Sequence, residues 1–81
     1  MKTLAMLKME KNFVAVIEKK YPRKPYEVLT TEYLLKRLSQ ENIELIQAFT
    51  NLDREEMQKE LADMSNLIDY IFERISEGFL K

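Results

Sequence analysis

The sequence predicts an all-α, single-domain chain of three helices, the last two joined as an antiparallel hairpin. Three observations carry that prediction. Glycine occurs once and proline twice in 81 residues, and Leu, Ile, Met, Glu and Lys dominate, a composition that favours helix. Apolar residues recur at three- and four-residue spacing in three separate stretches, as on helices with one buried face. The breaks between those stretches are short: the segment Tyr21-Pro22-Arg23-Lys24-Pro25, then the turn Asn51-Leu52-Asp53.

The first helix is expected over residues 4–20. Met6, Met9, Phe13, Val16 and Ile17 share one face, read as core-facing. A membrane-surface helix would need a strongly basic polar face, which is lacking. Proline removes an amide donor and pushes its predecessor out of helical angles, so the Pro22–Pro25 segment ends this helix. Its basic residues, Arg23 and Lys24 with Lys19 and Lys20 before them, are expected to be solvated or to meet phosphates.

The second helix is expected to start at a Thr30 or Thr31 N-cap, or earlier near Tyr26, and to end near Thr50-Asn51. Leu34, Leu35, Leu38, Leu45, Ile46 and Phe49 cluster within about a third of its circumference at ~100° per residue. Asn42 falls inside this stripe, where a polar group needs a partner. Asp53 suits an N-cap, and Glu56 three residues later completes a capping-box pattern. The third helix then runs from Arg54 to about Glu77, with a stripe of Met57, Leu61, Met64, Ile68, Ile71, Phe72 and Ile75. Gly78 is the expected stop.

Composition narrows the chemistry. With no cysteine and no histidine, disulfides, thiolate and imidazole metal sites and His-activated nucleophiles are excluded. Chemistry would have to run on carboxylates, Lys, Arg, Tyr, water and a hard cation. A net charge of −1, from 13 basic and 14 acidic side chains, lacks the basic excess of a nucleic-acid binder. The longest apolar run is far short of a membrane span. Residues 1–9 do not form a signal peptide, so a cytoplasmic location is the default expectation.

Two acidic pairs stand out: Glu41 with Glu44, and Glu60 with Asp63. Residues three apart on a helix sit about one turn from each other on nearly the same face. Both pairs lie beside apolar stripes, and counted from the turn they fall at similar heights. Four carboxylates so placed call for a cation, and oxygen ligands favour magnesium, with manganese second. Their charges are poorly relieved locally. Glu56, Glu60 and Asp63 repel one another, Glu44 has no base three or four residues away, and Arg37 and Lys59 relieve Glu41 and Asp63 in part. Other acidic pairs, such as Asp69/Glu73, are read as solvated surface.

At these residues the chain resembles the MazG-type all-α nucleoside triphosphate pyrophosphohydrolases, whose signature is ExxE, a loop, then ExxD. The matching segments are Glu41-Asn42-Ile43-Glu44-Leu45-Ile46-Gln47-Ala48 and Glu60-Leu61-Ala62-Asp63, and the likeness spans roughly residues 10–75. The resemblance implies hydrolysis of a nucleoside triphosphate to monophosphate and pyrophosphate, with surplus or aberrant nucleotides as substrates. It implies that Glu41, Glu44, Glu60 and Asp63 hold magnesium and carry catalysis, and that one of them or Glu56 takes the proton of the attacking water. Asn66, Lys36, Lys59 and Arg74 are the implied substrate contacts. The chain departs from the family at Gln40, where a second Glu is common, and stops at Lys81, where relatives commonly continue. A protomer this small is expected to close its pocket by association, as a homodimer whose paired hairpins complete a four-helix-bundle core, or as a homotetramer. The rival reading is a catalytically inactive dimerisation or interaction module of the same fold. A plain structural bundle with surface acids is the third.

Overall fold

Each helix begins on a side chain that accepts an orphaned backbone amide. A computed structural model describes residues 1–18 and 30–78, with side chains through residue 14 in the first stretch. Thr3 opens α1 (Leu4–Glu18): its Oγ1 accepts from the Met6 N–H at 3.2 Å. Thr30, extended at ψ 157, opens α2 (Thr31–Thr50), its Oγ1 accepting from the Tyr33 N–H at 3.0 Å. Asp53 opens α3 (Arg54–Ser76), its Oδ1 accepting from the Glu56 N–H at 3.1 Å. The Pro22–Pro25 segment, the Val16 and Ile17 side chains and the end expected for the first helix lie outside the described residues.

The hairpin turn closes tightly. The Asp53 N–H donates to the Ala48 carbonyl and the Leu52 N–H to the Phe49 carbonyl, both at 3.0 Å. This is a Schellman closure, with Leu52 at φ 55 in the left-handed position that glycine usually holds. Gly78, at φ 90, ends α3 in the same region as expected.

α3 is the central element, with α2 on one flank and α1 on the other. Leu34 of α2 and Leu67 of α3 are fully buried, and Tyr70, Ile71 and Leu38 pack around them. Each such leucine contributes about 1.5–3 kcal/mol. On the other flank of α3, Ala62, Asn66 and Asp69 form a stripe toward α1. Ala62 is fully buried, Asn66 Nδ2 donates to the Lys8 carbonyl at 2.7 Å, and Lys8 Nζ meets Asp69 Oδ2 at 2.6 Å.

The buried faces of all three helices differ from the sequence expectation. α1 docks on Leu7 and the half-buried Lys8, Lys11 and Asn12, while Met6, Met9 and Phe13 point away and stay exposed. The reason lies in α3, whose facing flank is small and polar and is met by residues that can bond to it. α2 is rotated so that Leu34, Glu41 and Ala48 face α3 and are buried, leaving Leu35, Ile46 and Phe49 at least half exposed. In α3, Leu61, Ile68, Phe72 and Ile75 are turned outward too, Phe72 to 72 % exposure. In an antiparallel pair, side chains rotated in the same sense from the contact line lie on the same side of the hairpin. These residues therefore make one apolar face.

Candidate metal centre

The rotation that exposes part of the apolar stripe carries the acids inward. Glu41 is 3 % exposed and Glu60 7 %, deeper than the stripe-edge position that the periodicity indicated. Their height match across the turn, at 1.5 Å per residue, then brings them face to face. One carboxylate oxygen from each of Glu41, Glu60 and Asp63 lies within 4.8 Å of the others. Glu44 is half-buried beside Glu41 but is not part of this convergent group.

Among the described residues, two cations reach the group. Arg37 Nη2 donates to Glu41 Oε1 at 2.6 Å, from one turn earlier on α2. Lys11 Nζ donates to Asp63 Oδ2 at 3.4 Å, from α1. Arg37 was legible from its i,i+4 spacing. Lys11 was not, because only the docking of α1 brings it near. Lys59, expected to relieve Asp63, pairs instead with Glu55 at 3.3 Å. Glu41 Oε2 and Glu60 Oε2 are buried and receive no hydrogen bond from an N–H or hydroxyl group; left ionised, such oxygens cost about 1–3 kcal/mol each or more, and only a proton held between the two carboxyls relieves them.

The electrostatic consequence is proton retention. Burial raises the Glu41 carboxyl above its ordinary range, and the nearby Glu44 and Asp63 charges add to the rise. Burial, followed by the adjoining Glu41, pushes Glu60 up to about 9. A buried carboxyl pair of this kind holds a proton between its members at neutral pH. A cation replacing that proton would find two free oxygen ligands and a third from Asp63, a donor set that suits magnesium or manganese.

Beside the group, at the turn end of the hairpin, lies a cavity of about 350 Å³ lined by Glu44, Gln47, Asn51, Asp53, Glu56 and Glu60. Glu60 thus belongs both to the buried group and to the wall of an open space, and Glu44 and Glu56 face that same space. The candidate substrate contacts lie elsewhere. Lys36 pairs with Glu32 at 3.2 Å, Lys59 with Glu55, and Asn66 is bonded to α1. Arg74, 1 % exposed, sits about 16 Å along α3 from Asp63 at 1.5 Å per residue.

Among the described residues, no helix is long and apolar enough to cross a membrane. Compared with protein-family models, curated proteins and solved structures, the chain matches none.

Proposed function

We propose that the chain is a magnesium-dependent nucleoside triphosphate pyrophosphohydrolase that works as a homodimer. One observation carries the reading: two buried carboxylates on facing helices, each with an unpartnered oxygen, converge with a third carboxylate next to an acidic cavity. Arg37 meets only one oxygen of Glu41, so ionising both buried carboxyls is costly, and a divalent cation would offset that cost. The ExxE and ExxD spacing supports the same reading from the sequence.

Glu41, Glu60 and Asp63 would hold magnesium, with Glu44 approaching from the cavity side. Bound there, the ion would polarise triphosphate oxygens and lower the pKa of a coordinated water. The residues themselves do three things. Arg37 fixes the Glu41 carboxylate by a 2.6 Å bond, so that its second oxygen stays directed inward. Lys11 ties α1 to Asp63 and so couples α1 docking to the group. Glu56, half-buried on the cavity wall one turn before Glu60, would accept the proton of the water that attacks the α-phosphorus. The anhydride between the α- and β-phosphates breaks, and pyrophosphate leaves.

The apolar hairpin face supports the dimer, because a domain buries its core between two layers of elements and, among the described residues, no second layer covers this face. The interaction-module reading is favoured by a different observation: Lys36, Lys59 and Asn66 are engaged within the protomer and none lines the cavity. Pyrophosphate release over a panel of nucleoside triphosphates with magnesium separates the two. Release that Glu41→Gln and Glu60→Gln each abolish supports the enzyme. Release that survives both substitutions, or none from the unmodified chain, overturns it.

A further inference from the structure

The outward face of the hairpin carries a pattern finer than apolarity. On α2, Leu35, Asn42 and Phe49 stand exposed seven residues apart, with Leu38 and Leu45 half-buried between them; on α3, Leu61, Ile68 and Ile75 do the same, with Met64 half-buried and Ile71 turned into the protomer core between them. That is the 3.5-residue repeat of helices that pack knobs into holes. None of these positions is charged and only Asn42 is polar. Asn42 is exposed in the protomer, in the middle of the α2 seam and near the middle of Thr31–Thr50.

We propose that the occupant of this face is a second copy of the chain, and that the dimer's two-fold axis passes through α2 at Asn42, so that each Asn42 bonds its counterpart. The proposal rests on the homodimer reading above and adds its register. Area favours a second copy. Leu35, Ile46, Phe49, Leu61, Ile68, Phe72 and Ile75 are all roughly half exposed or more. At roughly 100 Å² each they offer on the order of 700 Å², near the ~800 Å² per partner of a stable interface. Charge favours it too. An isologous contact sets each patch against itself, which a charged patch resists and this uncharged one permits.

Symmetry then singles out Asn42. In an antiparallel pairing of α2 with its copy, only the residue on the axis faces itself. A carboxamide carries both donor and acceptor, so two of them across the axis exchange two hydrogen bonds. Sliding the helices by one heptad would set each amide against Leu35 or Phe49, burying it without a partner. Asn42 therefore selects one register out of several that the apolar positions alone would allow, as a lone Asn does in a coiled-coil seam.

The chain has no cysteine, so one introduced thiol reads the geometry directly. Asn42→Cys is compared under mild oxidation with Gln40→Cys, an exposed position on the opposite side of α2, while the unmodified chain is sized by sedimentation equilibrium. The expected result is a dimer, with disulfide-linked product at least about tenfold more abundant for Asn42→Cys, since bridging needs the two Cα atoms within about 7 Å. A dimer that links no better at 42 than at 40 overturns the register and leaves the paired hairpins standing. A monomer overturns both. Asn42→Asp gives a second readout that needs no thiol: two carboxylates on the axis weaken the dimer at least about tenfold at neutral pH, and an unchanged dissociation constant sinks the proposal. Magnesium-dependent turnover is measured separately, so failure of the register and failure of the enzyme reading are distinct results.

Discussion

Glu60 shows how a single buried group ties stability to pH. Its proton is bound in the folded chain up to about 9 but in the unfolded chain only up to the ordinary 4.5. Between those values the folded state holds the extra proton, so stability falls as pH rises. Without metal, the melting temperature is expected to be highest near the acidic end of that window and to drop steadily toward its alkaline end. Glu60→Gln replaces the carboxyl by a neutral group of the same shape. It should flatten this profile and raise the melting temperature at alkaline pH, measured by circular dichroism melts across the range. Magnesium should raise the melting temperature more as pH rises, because it competes with protons for the same oxygens. In Glu60→Gln and Glu41→Gln that magnesium increment should vanish. An increment that persists in both would place the ion elsewhere.

The helices themselves were largely legible, because their signals are local. The Asp53 cap and the Gly78 stop each act within a turn, and the structure has them where the sequence indicated. Thr30 and Thr31 were both candidates for the α2 cap, and the hydroxyl bond to the Tyr33 N–H decides for Thr30. Helix rotation was not legible. The stripe of Met6, Met9 and Phe13 pointed to a core contact, yet α1 turns it outward. Which face docks depends on what α3 presents, and Ala62, Asn66 and Asp69 carry no apolar stripe. The acidic site was half legible for the same reason: spacing located Glu41, Glu60 and Asp63, but only the rotation of α2 makes Glu41 buried and leaves Glu44 to one side. Asp53 separates these scales experimentally. It caps α3 and lines the acidic cavity without joining the convergent carboxylates. Asp53→Ala should cost about 1 kcal/mol of stability, seen in urea titrations, and leave the magnesium increment intact. Loss of the increment would mean that the cavity wall, not the buried trio, holds the ion.

At the scale of the molecule, and among the described residues, α3 is flanked by α2 and α1 and keeps a half-exposed apolar row on a third side. Helices laid side by side bury little, and most helical stability comes from packing an apolar face. Here a row running from Phe49 and Ile46 on α2 to Leu61, Ile68 and Phe72 on α3 stays open to water. If a second copy covers that row, folding and association become one equilibrium, and melting temperature must rise with protein concentration. Ile68, 49 % exposed in the protomer, is the discriminating position. On a free surface, Ile68→Glu would change stability by no more than about 0.5 kcal/mol. In a covered seam it buries an unpaired carboxylate on each side of the interface, which costs several kcal/mol. The expected outcome is a chain that sediments as a monomer and melts at a lower temperature independent of concentration. The buried trio lies toward α3's contact with α2 rather than on this row. A weakened but measurable magnesium increment in the folded fraction of Ile68→Glu would therefore show that the metal group belongs to the protomer. Its complete loss, with the helices intact by circular dichroism, would show that pairing of the hairpins is what holds Glu41 and Glu60 together.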